Sequence, residues 1–338
     1  NIVLILADDL GYGDIGCYGS TVNRTPQLDS LARRGIRFTD FHSNGAMCSP
    51  TRAALLTGRY QQRCGIEEVL SEKEDWNTGL ALEQVTFAEI LRGAGYSTGM
   101  FGKWHLGYTP ALGPVRQGFD RYHGFLGGCL DYQSHMNRSG RPDWWDQERQ
   151  VQEKGYTTEL LAGFAVRFIE ENRTRPFCLY LPFQAVHFPF QGPRDKADRM
   201  LGGDYWSDAK YGSRADRRVA FTEMVEALDA AVGRVLAALR RLELERNTLV
   251  FFTSDNGGFS MVSSNRPLRG AKGQLWEGGH RVPAIACWPE HLAAGVEKQG
   301  TALTMDLFPT MAALAGVRGM PKLDGINLMP WMEGRSEL

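Results

Sequence analysis

The chain has 338 residues, 43% of them hydrophobic and 23% charged, a globular composition that excludes the disordered and fibrous classes. Its 38 basic and 39 acidic side chains leave a formal charge of -1, so no global field recruits nucleic acid or an anionic membrane, and any recognition of an anion has to be local. No apolar run approaches the roughly 20 residues that cross a bilayer, and the six cysteines (Cys17, Cys48, Cys64, Cys129, Cys178 and Cys287) include no CxxC pair that would suggest zinc or thioredoxin chemistry.

The chain opens on Asn1 and a continuous apolar run over 2–6, the pattern of a parallel strand covered on both faces. It begins inside that strand without an initiator Met, so a trimmed native N-terminus is expected. Asp8 and Asp9 follow at the strand's carboxyl end. A helix is predicted near 26–34, a strand near 36–42 and a helix over 50–57 that Pro50 initiates. Cys48 lies just ahead of that helix, and Arg52 about one turn beyond. A helix N-terminus and a guanidinium both favour an anion beside position 48; a cysteine nucleophile and a buried cysteine next to an ordinary helix start both fit this spacing.

A helix near 84–93 and a strand near 96–101 come next. The Gly- and polar-rich stretches 106–150 and 189–214 carry little periodicity and read as long excursions, which in compact enzymes build or cover a site. In the first of them His135, Arg138, Trp144 and Trp145 offer groups that bind a sugar, although a loop packed by its own aromatics accounts for them equally well. Further on, a helix is predicted over 157–172 and a strand over 177–183. The clearest helix, 216–242, carries Val225, Leu228, Val232, Leu236 and Leu239 three or four apart. An apolar strand over 247–254 ends in Asp255-Asn256-Gly257-Gly258, and a strand near 282–287 and a helix near 304–315 follow. Cys178 and Cys287 fall in apolar strands and read as small buried hydrophobes.

This alternation predicts an α/β fold with a largely parallel central sheet and helices on both faces. Ligands of such sheets bind beyond the carboxyl ends of the strands, where Asp8, Asp9, Asp255 and Asn256 would meet if their strands are neighbours. These hard oxygen donors suit Ca²⁺ or Mg²⁺ rather than Zn²⁺. Asp and Asn are also common turn and cap residues after strands, so each pair alone is a weak signal.

Cys48-Ser49-Pro50-Thr51-Arg52, followed by Ala-Ala-Leu-Leu-Thr-Gly, resembles the Cys-x-Pro-x-Arg signature of the type I, formylglycine-dependent sulfatases of the alkaline phosphatase superfamily. The run from Gly95 to Gly107 through Lys103-Trp104-His105 resembles the family's second signature, and Asn1 to Asp14 its opening. Ala185-Val186-His187-Phe188-Pro189 is similar to its histidine motif, and Leu268 to Pro283, with Lys272, to its lysine motif. Five separated motifs in the expected order span nearly the whole chain, far more specific than one short pattern. Thr51 stands where the family most often has Ser, at a variable position.

The resemblance is nearest to the arylsulfatase and N-acetylgalactosamine-6-sulfatase branch. It implies hydrolysis of a sulfate monoester, with a sulfated carbohydrate of the galactose or N-acetylgalactosamine type favoured. The route implied runs through a formylglycine gem-diol made from Cys48 and a covalent sulfo-enzyme intermediate. The catalytic set carried over is Cys48, Arg52, Lys103, His105, His187, Asp255 and Lys272. Asp255 would assist deprotonation of the nucleophile, Arg52 and Lys103 hold the diol, His105 take the proton of its second hydroxyl, and His187 and Lys272 contact sulfate and protonate the leaving oxygen. The metal implied is Ca²⁺, held by Asp8, Asp9, Asp255, Asn256 and the oxygen at position 48.

The partners implied are a sulfated small molecule or glycan and a formylglycine-generating enzyme, in an exported protein (periplasmic, extracellular or lysosomal). Sulfatases continue into a smaller C-terminal domain with an antiparallel sheet; residues 1–338 are expected to be the catalytic domain, cut short at both ends. Two alternatives stay open: a formylglycine-dependent phosphonate or phosphodiester hydrolase, and a sulfated-glycan binding protein that has lost catalysis.

Overall fold

In the computed structural model, which describes residues 1–338, the opening apolar run forms the strand Ile2–Ala7, buried along its whole length. Side chains alternate across a strand, and here each face meets its own core. Val3, Ile5 and Ala7 pack with Leu28, Phe164 and Val225 from the helices Pro26–Arg33, Thr157–Glu171 and Arg217–Arg241. Ile2, Leu4 and Leu6 pack with Leu55, Phe87 and Phe308 from the helices Cys48–Thr57, Phe87–Gly93 and Leu307–Leu314. A strand buried on both faces needs continuous apolar sequence, which explains the run.

Ten strands form one sheet in the order Val296–Lys298, Ile36–Phe38, Ala284–Cys287, Leu249–Ser254, Ile2–Ala7, Phe177–Pro182, Ser97–Lys103, Arg121–Phe125, Trp145–Asp146, Arg149–Gln150. The five from Leu249–Ser254 to Arg121–Phe125 are mutually parallel, and antiparallel pairs flank them on both sides. The expected sheet, largely parallel with helices on both faces, is therefore present with mixed edges. Gly102 sits at a close crossing: a Cβ there would lie 1.9 Å from the Pro182 carbonyl oxygen of the neighbouring strand, so only glycine lets the strand carrying Lys103 approach.

Three expectations change. The strand near 36–42 is divided into Ile36–Phe38 and Phe41–His42, the second pairing with Ala302–Leu303 in a separate two-stranded sheet. The excursion 106–150 contains the sheet strand Arg121–Phe125 and the edge hairpin that follows it; its Arg-Tyr-His-Gly-Phe sequence is too short and too mixed in polarity to show a period. The helix expected from Pro50 begins at Cys48, with Met47 as its N-cap. Pro50 is then its third residue, still within the first turn, where backbone N–H groups have no partner inside the helix and a missing one is tolerated. Cys178 and Cys287 are free and buried, as read. No helix is long and apolar enough to cross a membrane.

Candidate active site

The strands Ile2–Ala7 and Leu249–Ser254 are neighbours, and their parallel register sets Ala7 against Ser254. The residues that follow, Asp8 and Asp255, therefore leave adjacent strands at the same level. Asp9 turns out of its strand with φ 63°, a left-handed conformation that costs a non-glycine residue about 1 kcal/mol or more. It is held there by its own N–H, which donates to Asp255 Oδ1 at 3.3 Å, and by Asn256 Nδ2, which donates to Asp9 Oδ1 at 2.8 Å. Four oxygen-bearing side chains thus share one crevice.

Cys48 opens its helix against this crevice. Its Sγ lies 3.5 Å from Asp8 Oδ1 and 3.6 Å from Lys272 Nζ. One turn along, Arg52 is fully buried and fork-bonded to Asp255 Oδ2 through Nε at 3.1 Å and Nη2 at 2.7 Å, while Nη1 donates to the Lys103 carbonyl at 3.0 Å. Lys103 Nζ donates to Asp8 Oδ2 at 2.6 Å and Lys272 Nζ to Asp9 Oδ2 at 2.8 Å. Three carboxylates and three cations alternate here, so each buried charge has a partner.

Two histidines complete the centre, and their hydrogen bonds assign their tautomers. His105 Nε2 faces the Leu70 carbonyl at 3.0 Å and so carries the proton, while its buried Nδ1 has no partner. His187 Nδ1 faces the Phe188 carbonyl at 2.8 Å and carries its proton there, leaving Nε2 toward Asp9 at 3.8 Å. Burial, with the nearby cations adding, pushes both imidazoles well below their ordinary range. Both are neutral bases in this setting.

The carboxylates diverge. Burial first, then the charges of Asp255 and Asp9, pushes Asp8 up to about 7 against the pull of Lys103 and Arg52. Burial acts on Asp255 in the same direction, but Arg52, Lys103 and Lys272 together outweigh it and hold that carboxyl below its usual range. Burial also drives the Cys48 thiol far upward, and Lys103 and Lys272 only partly offset this. A cysteine nucleophile acts as a thiolate, and this setting keeps the encoded side chain a neutral thiol.

The donor set fits a hard divalent cation. Ligand atoms of Asp8, Asp9, Cys48 and His187 lie within 4.8 Å of one another. Asn256 Oδ1 is a buried oxygen with no hydrogen-bond partner, beside Asp9; a buried acceptor left open in this way is what an oxygen-coordinated ion satisfies.

The centre opens into a cavity of about 330 Å³ that exposes Cys48, His105, His187 and Lys272. All seven catalytic candidates and the four acidic and amide metal candidates meet here. Of the four sugar-binding candidates only Arg138 lines the cavity. His135 stacks on Trp144 with ring centroids 4.5 Å apart and bonds to the Gly155 carbonyl. The Trp144 indole donates to Glu153 and that of Trp145 to Asp143. Those three residues pack and pin their own loop and lie outside the cavity. Glu72, Tyr108, Cys129, Trp206 and Lys210 also stand on the wall and carry no motif; membership of the aperiodic stretches 106–150 and 189–214 was the only signal for the last four, and Glu72 had none. A larger cavity of about 660 Å³ beside Asp14 and Arg218 contains none of the catalytic candidates.

A sequence model described as "Sulfatase" matches residues 1–317. Human arylsulfatase A is 38% identical over 369 residues, covering 99% of this chain and 68% of that protein. Mouse N-acetylgalactosamine-6-sulfatase is 35% identical over 359 residues, covering 98% of this chain and 66% of that protein. The chain thus spans about two thirds of the length of these curated relatives. The solved structure of Ps i-CgsB in complex with k-i-k-neocarrahexaose superposes with a TM-score of 0.88 at 35% identity, over 99% of this chain and 76% of that one.

Proposed function

This chain belongs to the sulfatase family of sulfuric ester hydrolases, and we propose that it hydrolyses sulfate monoesters on a carbohydrate of the galactose or N-acetylgalactosamine type. The observation that carries the reading is the convergence of Cys48, Arg52, Lys103, His105, His187, Asp255 and Lys272 around Asp8 and Asp9 at the floor of one cavity. The carbohydrate is supported by the N-acetylgalactosamine-6-sulfatase relative and by the oligosaccharide bound to the structural neighbour.

Converted to formylglycine, residue 48 would supply a hydrated aldehyde whose hydroxyl attacks sulfur, and a Ca²⁺ held by Asp8, Asp9, Asp255 and Asn256 would supply Lewis acidity toward the sulfate oxygens. The chain's own residues do the rest. Arg52 holds Asp255 ionised and fixed, so that its carboxylate takes a proton from the hydroxyl at position 48. The Lys272 ammonium lies between Asp9 and position 48, where it contacts an incoming sulfate and donates to the leaving oxygen. With Nδ1 anchored on a carbonyl, His187 meets the substrate through Nε2. His105 Nδ1, buried and without a hydrogen-bond partner, is the base to which this reading gives the second proton of position 48.

The test has two parts. The mass of the Cys48 peptide, from protein made with a formylglycine-generating enzyme as maturation partner, is expected to show the thiol replaced by an aldehyde. That protein is then assayed with aryl sulfate and aryl phosphodiester under matched conditions. Faster turnover of the phosphodiester overturns the assignment in favour of a phosphonate or phosphodiester hydrolase; binding of sulfated sugar by protein whose Cys48 stays a thiol favours a lectin-like role.

A further inference from the structure

Arg138 is the one sugar-binding candidate that reaches the cavity, and its surroundings are unusual for an arginine. Its guanidinium carbon lies 5.1 Å from the ring centroid of Phe188 and 5.0 Å from that of Trp206. This sets the planar group against two aromatic rings. Its Nε is buried without a hydrogen-bond partner. Glu72 is the sole acid on the cavity wall; it accepts from Asn137 Nδ2 at 2.9 Å and feels the charge of Arg138 without forming a salt bridge to it. Arg138 is therefore a half-buried cation on the substrate cavity with no carboxylate bonded to it.

The placement is built. Asn137 Oδ1 accepts from the N–H groups of Ser139 and Arg141 at 3.0 and 2.9 Å, which closes the loop around Arg138. The Arg138 carbonyl accepts from Tyr205 N at 2.9 Å, and the Trp206 indole donates to Ser139 Oγ at 3.3 Å. Two excursions distant in sequence are thus stapled together where Arg138 and Trp206 meet. Lys210 lines the same wall, and Lys73 sits 4.5 Å from the Trp206 ring. Phe188, on which the guanidinium rests, directly follows His187, and Arg138, His187 and Cys48 line the same cavity, so the guanidinium lies close to the reaction centre. Even partly burying a guanidinium that no carboxylate bonds is costly. Such a cation persists on a cavity wall where an anion comes to satisfy it.

We propose that Arg138, with Lys210, forms a subsite for a second anionic group of the substrate. The scissile sulfate then sits at position 48 while the free guanidinium edge grips another sulfate, or a carboxylate, on the same or the adjoining sugar. The inference rests on the sulfatase reading and narrows its substrate class to doubly charged sugars.

The test compares kcat/KM for three defined sugars with one scissile sulfate each: a singly charged one, its counterpart with a second sulfate, and its counterpart linked to a uronate. The wild-type enzyme is expected to prefer one of the doubly charged sugars by about tenfold to a hundredfold, the range of one charge-assisted hydrogen-bonded pair. Which of the two is preferred identifies the second anion. In R138Q that ratio is expected to fall toward one, and in R138K, which keeps the charge and loses the fork, to fall part of the way. A ratio cancels the fraction of folded enzyme, so partial misfolding of a variant does not mimic the result. Equal losses on all three substrates would show that Arg138 only positions its loops and would overturn the subsite, as would a wild-type enzyme without preference. Failure of converted protein to hydrolyse any sulfate ester overturns the sulfatase reading and this inference with it.

Discussion

Arg52 offers the most direct test of how the site is held. Its guanidinium donates twice to Asp255 Oδ2, at 3.1 and 2.7 Å, and once to the Lys103 carbonyl at 3.0 Å, with both side chains buried. Replacing Arg52 with Ala strands a buried carboxylate and leaves a carbonyl without its donor, and breaking a buried pair from one side costs about 3–5 kcal/mol. At about 2.1 cal/mol/K per residue the chain's unfolding entropy is near 0.7 kcal/mol/K, so the melting temperature is expected to fall by about 4–7 °C. Calorimetry in the presence of a chelator reads this without contributions from bound ion. The pairing also predicts non-additivity: with Asp255→Asn added, the double variant is expected to be more stable than the two single losses imply by about 1–3 kcal/mol. A melting temperature for R52A equal to that of the wild type, or strictly additive losses, would refute the reasoning.

Two further perturbations probe the scaffold. Asp229, on the helix Arg217–Arg241, accepts from Leu28 N at 2.9 Å and Gln27 N at 3.1 Å, and so caps the helix Pro26–Arg33, whose own Thr25 makes no capping bond. Asp229→Ala is expected to lower stability by about 1–3 kcal/mol, read from the urea midpoint, with little effect on KM. Asp14 is buried and pushed up to about 7 by burial, against the hydrogen bonds of Ser263, Ser264 and Gly11. A carboxyl whose folded pKa is raised binds its proton more tightly in the folded state. Its contribution to stability is therefore complete below its ordinary value of 3.8, declines as pH rises and is lost above about 7. Urea midpoints taken across that window are expected to fall less steeply in Asp14→Asn than in the wild type; parallel slopes would rule out this role for Asp14.

Most of the candidate catalytic centre could be named before folding, because its residues sit in short motifs whose order along the chain resembles that of the sulfatases. Cys48 and Arg52 are one helical turn apart, Lys103 and His105 flank a strand end, and Asp8, Asp9, Asp255 and Asn256 each follow an apolar strand. Continuous apolar strands and three-to-four spacing in helices likewise reflect burial that each segment needs wherever its neighbours lie. What sequence could not supply was adjacency. That the first strand pairs with the one ending at Ser254, in the register that sets Asp8 beside Asp255, follows from the packing of the whole sheet. The substrate wall shows the same limit more sharply. His135, Trp144 and Trp145 were as plausible on chemistry as Arg138, yet the loop turns those three into its own packing and hydrogen bonds and sends Arg138 against Phe188 and Trp206 from other segments. By itself the sequence determined the strands and nominated the candidate catalytic side chains at their ends; only the tertiary structure decided which long-range neighbours line the cavity, since loop docking depends on contacts between residues tens of positions apart.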